Sequence, residues 1–243
     1  MHRTLRAWAY DTLKELIVTG ELEPGQALVE AKLSSDLGIS RSPIREALRQ
    51  LGHDGLVITT PNSGTIVSPV NTFEIDQVFE VRDLLETCLV AHAALARTAD
   101  ELTACSRIVD EMPAAAANEE IRAYAALDVQ FHQLIWDMAK RPRVVEVLVP
   151  VSDQARRFLN LSSRQLHSES AETLLASLTE HREILAAIDE GDVERSVAAT
   201  RLHMSSSRRR ILHNLERNGS NIDTGVGDQR RFAYTVIWAE GEF

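Results

Sequence analysis

Apolar residues recur at helical spacing from residue 72 almost to the C-terminus, and this pattern limits most of the chain to an all-helical fold. No strand-like alternation interrupts it before residue 218. Helices that each carry an apolar stripe bury those stripes against one another, so a helical bundle is expected over residues 71–217. The predicted helices lie near residues 72–98, 100–116, 118–139, 143–161, 170–190 and 192–216.

The first 70 residues show a different order of elements. The predicted elements are helices over about Thr4–Thr19, Val29–Leu37 and Pro43–His53, followed by strands over Leu56–Thr60 and Thr65–Val67. Pro61-Asn62-Ser63-Gly64 joins the two β-rich runs as a hairpin loop would. Helix, helix, turn, helix and hairpin is the order of a winged helix-turn-helix. The sequence therefore predicts a mainly α protein with an N-terminal winged helix-turn-helix over residues 1–70 and a C-terminal all-helical bundle.

The tail over residues 218–243 fits neither domain. It is rich in Gly, Asn and Asp and then alternates in polarity over Arg231–Trp238. A swapped strand, a disordered extension and a cloning remnant all fit this pattern, so the role of the tail stays open.

The charge distribution excludes a protein that coats nucleic acid without regard to sequence. The net charge is −10, and the first 70 residues carry seven Lys or Arg against eight Asp or Glu. Because nonspecific binding needs a basic surface, any DNA contact must come from a small basic cluster in the first domain.

Neither a membrane segment nor a paired cysteine motif is found in the sequence. No stretch offers the roughly 18 uninterrupted apolar residues that a membrane span needs, and the N-terminus has no signal-peptide pattern. A cytoplasmic protein without a membrane partner is therefore expected. Cys88 and Cys105 lack the spacing of a zinc or redox motif, and both are predicted to be buried free thiols.

Three arginines recur every four residues along the third helix. Arg41, Arg45 and Arg49 therefore share one face, opposite an apolar stripe. Such a row is often only a solvated charged face. Positive side chains near a helix N-terminus are unfavourable unless an anion such as phosphate lies nearby, and arginine matches the acceptor pair of a guanine edge. With the hydroxyl of Ser42 and the small hairpin loop at residues 62–64, this face is interpreted as DNA-binding.

Polar residues recur inside apolar stripes of the second domain. Asp128 and His132 lie one helical turn apart among core-facing positions, and His181 and His203 lie on two later helices. A single histidine on an apolar face is more often a hydrogen-bonded core residue than a ligand. Three imidazoles and a carboxylate together suit zinc, with nickel or manganese as alternatives, and leave two octahedral positions for a bidentate carboxylate. The set therefore predicts a divalent-metal site.

Arg82 stands in an otherwise apolar stripe of the first bundle helix, between Val78 and Leu85. A guanidinium in such a place needs an anionic partner. That partner is either Glu86, one turn further on, or the carboxylate of a bound ligand. Both interpretations stay open at this point.

Two motifs connect the chain with a known family. The run Leu37-Gly38-Ile39-Ser40-Arg41-Ser42-Pro43-Ile44-Arg45-Glu46-Ala47-Leu48, followed by the wing glycine, resembles the DNA-binding domain of GntR-type regulators. The second domain, with Asp128-x3-His132, His181 in His-Arg-Glu-Ile-Leu and His203-Met204, is similar to the FadR-type effector domain, called FCD, that follows such heads. The resemblance covers about residues 5–216.

The resemblance implies residue roles and partners. The implied operator contacts are Arg41, Ser42, Arg45, Gly64 and, more weakly, Arg49. The implied metal ligands are Asp128, His132, His181 and His203, and the implied effector contacts are Arg82 and Asn160. A homodimer, palindromic operator DNA and a small organic acid as effector are implied as well.

The predicted function is a DNA-binding transcriptional regulator, a repressor, whose operator affinity is controlled by a small organic acid at the metal site. One alternative is a metal-dependent, hydrolase-like enzyme, because a metal with open positions also activates water. The DNA-binding head and the lack of a clear nucleophile or general base near the ligands argue against an enzyme. The other alternative is a purely structural metal that joins three helices.

Overall fold

The element order matches the sequence pattern closely. The computed structural model describes residues 4–61, 64–118, 120–164 and 171–217. Its elements are α1 (Leu5–Val18), α2 (Glu30–Leu37), α3 (Arg41–His53), β1 (Val57–Thr60), β2 (Gly64–Val67), α4 (Thr72–Ala96), α5 (Ala99–Ala117), α6 (Ile121–Met138), α7 (Pro142–Arg164), α8 (Ala171–Glu190) and α9 (Val193–Arg217). The predicted mainly α fold is confirmed. The tail after residue 217 and the loop residues Asn62 and Ser63 lie outside the described residues.

The N-terminal head is built around one apolar core. The Thr4 hydroxyl caps α1, and Gly38 ends α2 with a φ of 66° that suits glycine. β1 and β2 pair as an antiparallel hairpin with Val57 opposite Val67. Because the apolar stripe of α3 is buried in this core, the opposite face of α3 points to solvent. The buried core residues are Ala9, Leu13, Ile17, Val18, Leu28, Leu33, Ile44, Ala47, Leu48, Leu51, Leu56, Val57 and Val67.

The helices α4 to α9 form the second domain, in which α4 packs against α6, α7, α8 and α9. The side chain of Asn71 caps α4, and Thr98 with Glu101 forms a capping box at the start of α5. Each large apolar side chain that is fully buried stabilises the fold by about 1.5–3 kcal/mol. The core of this domain includes Leu89, Val90, Met112, Phe131, Ile135, Met138, Leu148, Leu178, Ile184 and Ile188.

The two cysteines differ in exposure. Cys105 is a buried free thiol as predicted, but the prediction for Cys88 was wrong, because its side chain is exposed. The buried face of α4 includes Ile75, Val78 and Leu89, and Cys88 does not lie on this face. Among the described helices, none is long and apolar enough to cross a membrane.

The head and the bundle meet along α7. A third apolar cluster at this junction joins α4, α7 and α9 near the linker. Arg157 of α7 is 1% exposed and donates a hydrogen bond to the carbonyl oxygen of Ser68 in the linker. The side chain of Gln154 donates to the carbonyl oxygen of Asp54 at 2.8 Å. The head is therefore contacted by α7, which is itself a helix of the bundle.

Candidate metal centre and nucleic-acid interface

The solvent face of α3 carries the predicted DNA-contacting residues. These are Arg41, Ser42, Arg45 and Arg49, all of them exposed. Arg45 donates to both carboxylate oxygens of Glu30 on α2 at 2.9 and 2.8 Å, and Arg49 donates to Glu46 at 3.3 Å. Water screens such exposed ion pairs, so they hold their guanidiniums weakly and an approaching phosphate can replace the carboxylate. Gly64 is exposed at the start of β2, in the predicted wing.

Four polar side chains converge inside the bundle. Asp128 and His132 come from α6, His181 from α8 and His203 from α9. One ligand atom from each side chain lies within 4.8 Å of the others, and the three histidines are buried. The one-turn spacing of Asp128 and His132 places both on the inner face of α6, and packing of α8 and α9 adds the other two. The structure thus brings together all four residues that the sequence singled out as metal ligands.

The ring of His181 tests whether this cluster fits a cation. It is 0% exposed, and neither Nδ1 nor Nε2 makes a hydrogen bond to any residue that the structure describes. Nε2 lies 3.1 Å from Oδ1 of Asp128, but the two atoms are not aligned as an N–H···O bond. A buried polar atom without a partner costs about 1–3 kcal/mol. Two ligands at right angles on one ion, each about 2.1 Å from it, lie about 3.0 Å apart. The arrangement therefore fits a divalent cation.

Two glutamates contact the Nδ1 atoms of two of the histidines. Glu180 Oε2 lies 2.8 Å from Nδ1 of His203, and Glu86 Oε2 lies 3.4 Å from Nδ1 of His132. These partners assign the ring proton to Nδ1 and leave the lone pair on Nε2. Sequence reasoning missed both glutamates in this role. Glu86 was visible only as a partner for an arginine, and Glu180 only as the neighbour of His181.

Arginines hold these glutamates in turn. Arg82 Nε donates to Glu86 at 2.8 Å, and Arg210 donates to both oxygens of Glu180 at 3.0 and 3.1 Å. Burial alone would raise the pKa of Glu86, but Arg82 and then the histidine contact outweigh burial and lower it to about 2. For Glu180 burial is outweighed by the histidine contact and then by Arg210, and its pKa is also lowered to about 2. Both carboxylates are therefore ionised at neutral pH.

Burial and neighbouring charges set the protonation of the cluster. Burial, with repulsion from His181, lowers the pKa of His203 to about 4. Burial also lowers the pKa of His181, although Asp128 opposes this, whereas for His132 burial is outweighed by Glu86 and the pKa is raised. For Asp128, burial is outweighed by the contact with His181 and by the other histidines, so its pKa is lowered. Neutral imidazoles and an ionised carboxylate are the forms that bind metal, so the shifts of His181, His203 and Asp128 favour metal binding and that of His132 opposes it.

A cavity of about 160 Å³ opens beside the cluster. Asp128, His132 and His203 form part of its wall. An engineered cavity of about 150 Å³ in another protein accepts benzene, so this space has room for a small organic molecule. A molecule bound in this cavity would therefore lie within reach of the cluster.

The two predicted effector contacts, Arg82 and Asn160, also line this cavity. Each already has a partner in the protein. Arg82 is paired with Glu86, which is one of the two interpretations left open by the sequence. The side-chain amide of Asn160 donates to the carbonyl oxygen of Val18 in α1 at 2.9 Å. Asn160 therefore connects the cavity wall with the head.

Two further residues of α7 line the cavity and contact the head. Asp153 accepts a hydrogen bond from Lys14 at 2.9 Å. Arg156 donates to Glu15 at 3.1 Å and lies 3.4 Å from Asp153. Because α1 packs against α3, a displacement of this wall would reach the predicted DNA-binding face through a single helix.

Family models match both parts of the chain. A model described as "Bacterial regulatory proteins, gntR family" matches residues 5–67. A model described as "FCD domain" matches residues 77–206. The two matches correspond to the head and to most of the bundle.

Curated relatives extend over most of the chain. The uncharacterized HTH-type transcriptional regulator YdhC of Bacillus subtilis (strain 168) is 28% identical over 215 residues, which cover 87% of this chain and 93% of the relative. The gluconate operon transcriptional repressor of Bacillus licheniformis is 27% identical over 180 residues, 74% of each chain. The solved structure of E. coli McbR/YncC has a TM-score of 0.77 at 20% identity and covers 87% of this chain and 99% of that one, which shows a shared fold.

Proposed function

The chain belongs to the GntR family of bacterial regulatory proteins and carries an FCD domain, and from this premise we propose that it is a repressor whose operator affinity depends on a small carboxylate bound beside a divalent metal. As a family member it is a DNA-binding transcriptional regulator. Two of its relatives are named as transcriptional repressors, which favours repression over activation. The metal and the effector are proposals that depend on the buried cluster.

Operator recognition is assigned to the head. Arg41, Ser42 and Arg45 at the start of α3 read the major groove, with a weaker contribution from Arg49, and Gly64 approaches the backbone from the wing. A homodimer presents two such helices to successive major grooves, so the operator is palindromic. The exposure of all four α3 side chains supports this assignment.

The metal is assigned to Asp128, His132, His181 and His203. The observation that carries this assignment is the convergence of their ligand atoms within 4.8 Å, together with the ring of His181, whose nitrogens make no hydrogen bond among the described residues. Zinc suits the donor set, with nickel or manganese as alternatives. When bound, such an ion supplies a positive charge that attracts carboxylate oxygens.

The residues around the cluster orient it and recognise the ligand. Glu86 and Glu180 fix the rings of His132 and His203 through Nδ1. Arg82 lines the cavity while its Nε is held by Glu86, so its guanidinium adds positive charge at the wall. The positive charges of the Arg82 guanidinium and of the proposed cation favour an anionic ligand in the cavity over a neutral one.

The regulation follows from α7. A ligand that repositions this wall biases the contacts of Asp153, Arg156 and Asn160 with α1, and so shifts the population of head positions. Heads held at the wrong separation cannot enter successive grooves of a palindrome. The wall therefore transmits occupancy of the cavity to the operator.

The two rival functions are distinguished by the same assay. A purely structural metal predicts that chelation lowers stability while no acid alters DNA affinity, and an enzyme predicts turnover. A regulatory metal predicts that acids alter both stability and DNA affinity only when metal is bound. The relatives named as regulators and the cavity beside the cluster favour the regulatory metal.

The test is a melting-temperature screen of organic acids on zinc-loaded and chelator-treated protein. It is repeated with an operator that the protein itself selects from a random DNA library. We expect at least one acid to raise Tm and weaken operator binding in the zinc-loaded protein alone. An acid response that persists unchanged after chelation would contradict the metal-dependent site.

A further inference from the structure

Three polar groups in the cavity wall make no hydrogen bond within the described part of the chain. They are the indole Nε1 of Trp136, the hydroxyl of Ser152 and the guanidinium Nε of Arg156. All three atoms are buried, and Trp136 as a whole is only 7% exposed. A buried donor without an acceptor is unfavourable, so each of these groups favours a ligand that supplies an acceptor.

The unpartnered groups stand apart from the contacts that family resemblance suggested. Arg82 is already bound by Glu86, and Asn160 by the carbonyl oxygen of Val18. Ser152 and Arg156 lie one turn apart on α7, and Trp136 lies one turn beyond His132 on α6. The cavity wall therefore carries three unpartnered polar groups in addition to the metal cluster.

The chemistry of these three groups determines which functional group of a ligand they can bind. An indole N–H and a guanidinium Nε–H only donate, and a hydroxyl donates readily. A set of donors that includes a positive charge prefers a carboxylate, because charge-assisted hydrogen bonds are the stronger ones. On the basis of the proposed function, which places one carboxylate at the cluster, we propose that the effector is a dicarboxylate whose second carboxylate is bound by Arg156 together with Ser152 and Trp136.

This contact also affects the head. The Nη2 of Arg156 lies 3.1 Å from Glu15 of α1 and 3.4 Å from Asp153. A second carboxylate competes with these two for the same guanidinium. Recognition of the far end of the effector therefore weakens a contact that holds α1 against the bundle.

The experiment compares acids of equal chain length on zinc-loaded, full-length protein. Succinate, glutarate and adipate are titrated calorimetrically beside butyrate, valerate and caproate. At least one dicarboxylate is expected to bind about tenfold or more tightly than its monocarboxylate counterpart, the ratio given by a charge-assisted hydrogen bond. Arg156→Gln is expected to remove this preference and to leave zinc content unchanged.

Glu15→Gln is the matched control, because it breaks the same interdomain ion pair from the head side and leaves the cavity wall intact. It retains the preference for dicarboxylates. Ser152→Ala, which keeps the contact with α1, gives a smaller loss of the preference and serves if Arg156→Gln does not fold.

Three outcomes separate this inference from the function on which it rests. A preference that survives in both Arg156→Gln and Ser152→Ala overturns the inference. Zinc-dependent binding of monocarboxylates and dicarboxylates with equal affinity overturns the inference and leaves the proposed function standing. If none of the six acids binds the zinc-loaded wild type, the carboxylate site of the proposed function fails as well.

Discussion

The head and the bundle use the same kind of ion pair in opposite surroundings. On the head, the side chain of Arg45 is 67% exposed and pairs with Glu30 at 2.8 Å. In the bundle, the side chain of Arg82 is 11% exposed and pairs with Glu86, which is 3% exposed. Water screens the first pair, so its partners exchange easily, whereas loss of one partner from the second leaves a buried charge unpaired. The proposed DNA-binding face is therefore suited to exchanging partners, and the proposed metal cluster is suited to holding its geometry.

Substituting glutamine for Glu86 and for Glu30 tests this contrast between a buried and an exposed ion pair, and the largest effect is expected here. Glu86→Gln is expected to lower the free energy of unfolding by about 3–5 kcal/mol, because it removes the charge that compensates a buried arginine. Glu30→Gln is expected to leave it unchanged, because that pair is exposed. Urea denaturation followed by circular dichroism measures both. Equal losses would show that the two ion pairs do not differ as their exposure indicates.

Metal removal tests whether the cluster stabilises the bundle. With free zinc at about 100 times its dissociation constant, binding contributes about 2.7 kcal/mol. Chelation is then expected to lower Tm by about 5–10 °C for a chain of this size. Calorimetry with and without chelator measures the change, and added zinc reverses it. The Arg45→Ala protein serves as a control and shows the same drop, since its change lies in the head. An unchanged Tm would argue against a metal in the cluster.

Arg45→Ala sharpens the comparison from the head side. It is expected to weaken binding of the selected operator by about 10- to 100-fold, because a guanidinium that reads a base edge is lost. Tm is expected to stay unchanged, since the side chain is exposed. Fluorescence anisotropy measures the affinity. Arg143→Ala is the matched control, because Arg143 is an exposed, ion-paired arginine of the bundle, and it should leave operator affinity intact. Wild-type affinity in Arg45→Ala would refute the assignment of α3.

Alanine substitutions at two glycines test the junction between the head and the bundle, and their expected difference in stability is the smallest of these effects. Gly55 and Gly38 both have positive φ, so alanine at either position costs about 1 kcal/mol in backbone strain. An added Cβ at Gly55 would lie 2.6 Å from Nε2 of Gln154, which donates across the junction to Asp54, whereas no described residue has an atom within 4 Å of a Cβ added at Gly38. Gly55→Ala is therefore expected to lose about 1 kcal/mol more in urea denaturation. Equal losses would mean that the Gln154 contact contributes little.

Local spacing was enough to predict the features that lie on one helix. The four-residue repeat of Arg41, Arg45 and Arg49 placed them on the solvent face of α3, because the intervening apolar residues had to face the core. The same reasoning placed Asp128 and His132 on one face of α6. These predictions depend only on helix geometry, which the packing did not alter.

Contacts between distant helices could not be read from spacing. Glu180 holds His203, 23 residues further along the chain, and Arg156 contacts Glu15 across 141 residues. Asn160 was expected to contact a ligand, yet its amide is bonded to Val18 of α1. Which of the polar groups on α7 contacts the head depends on how the two domains dock, and no local pattern in the sequence encodes that.

Metal content tests most directly whether the four converging side chains form a cation site. The full-length wild type, His181→Ala and His213→Ala are loaded with zinc, dialysed and measured by mass spectrometry. His213 is an exposed histidine of α9 outside the cluster, so its variant is the control. About one zinc per chain is expected in the wild type and in His213→Ala, with little in His181→Ala. A wild type that retains no metal, or a His181→Ala protein that retains as much zinc as the wild type, would contradict the proposed site.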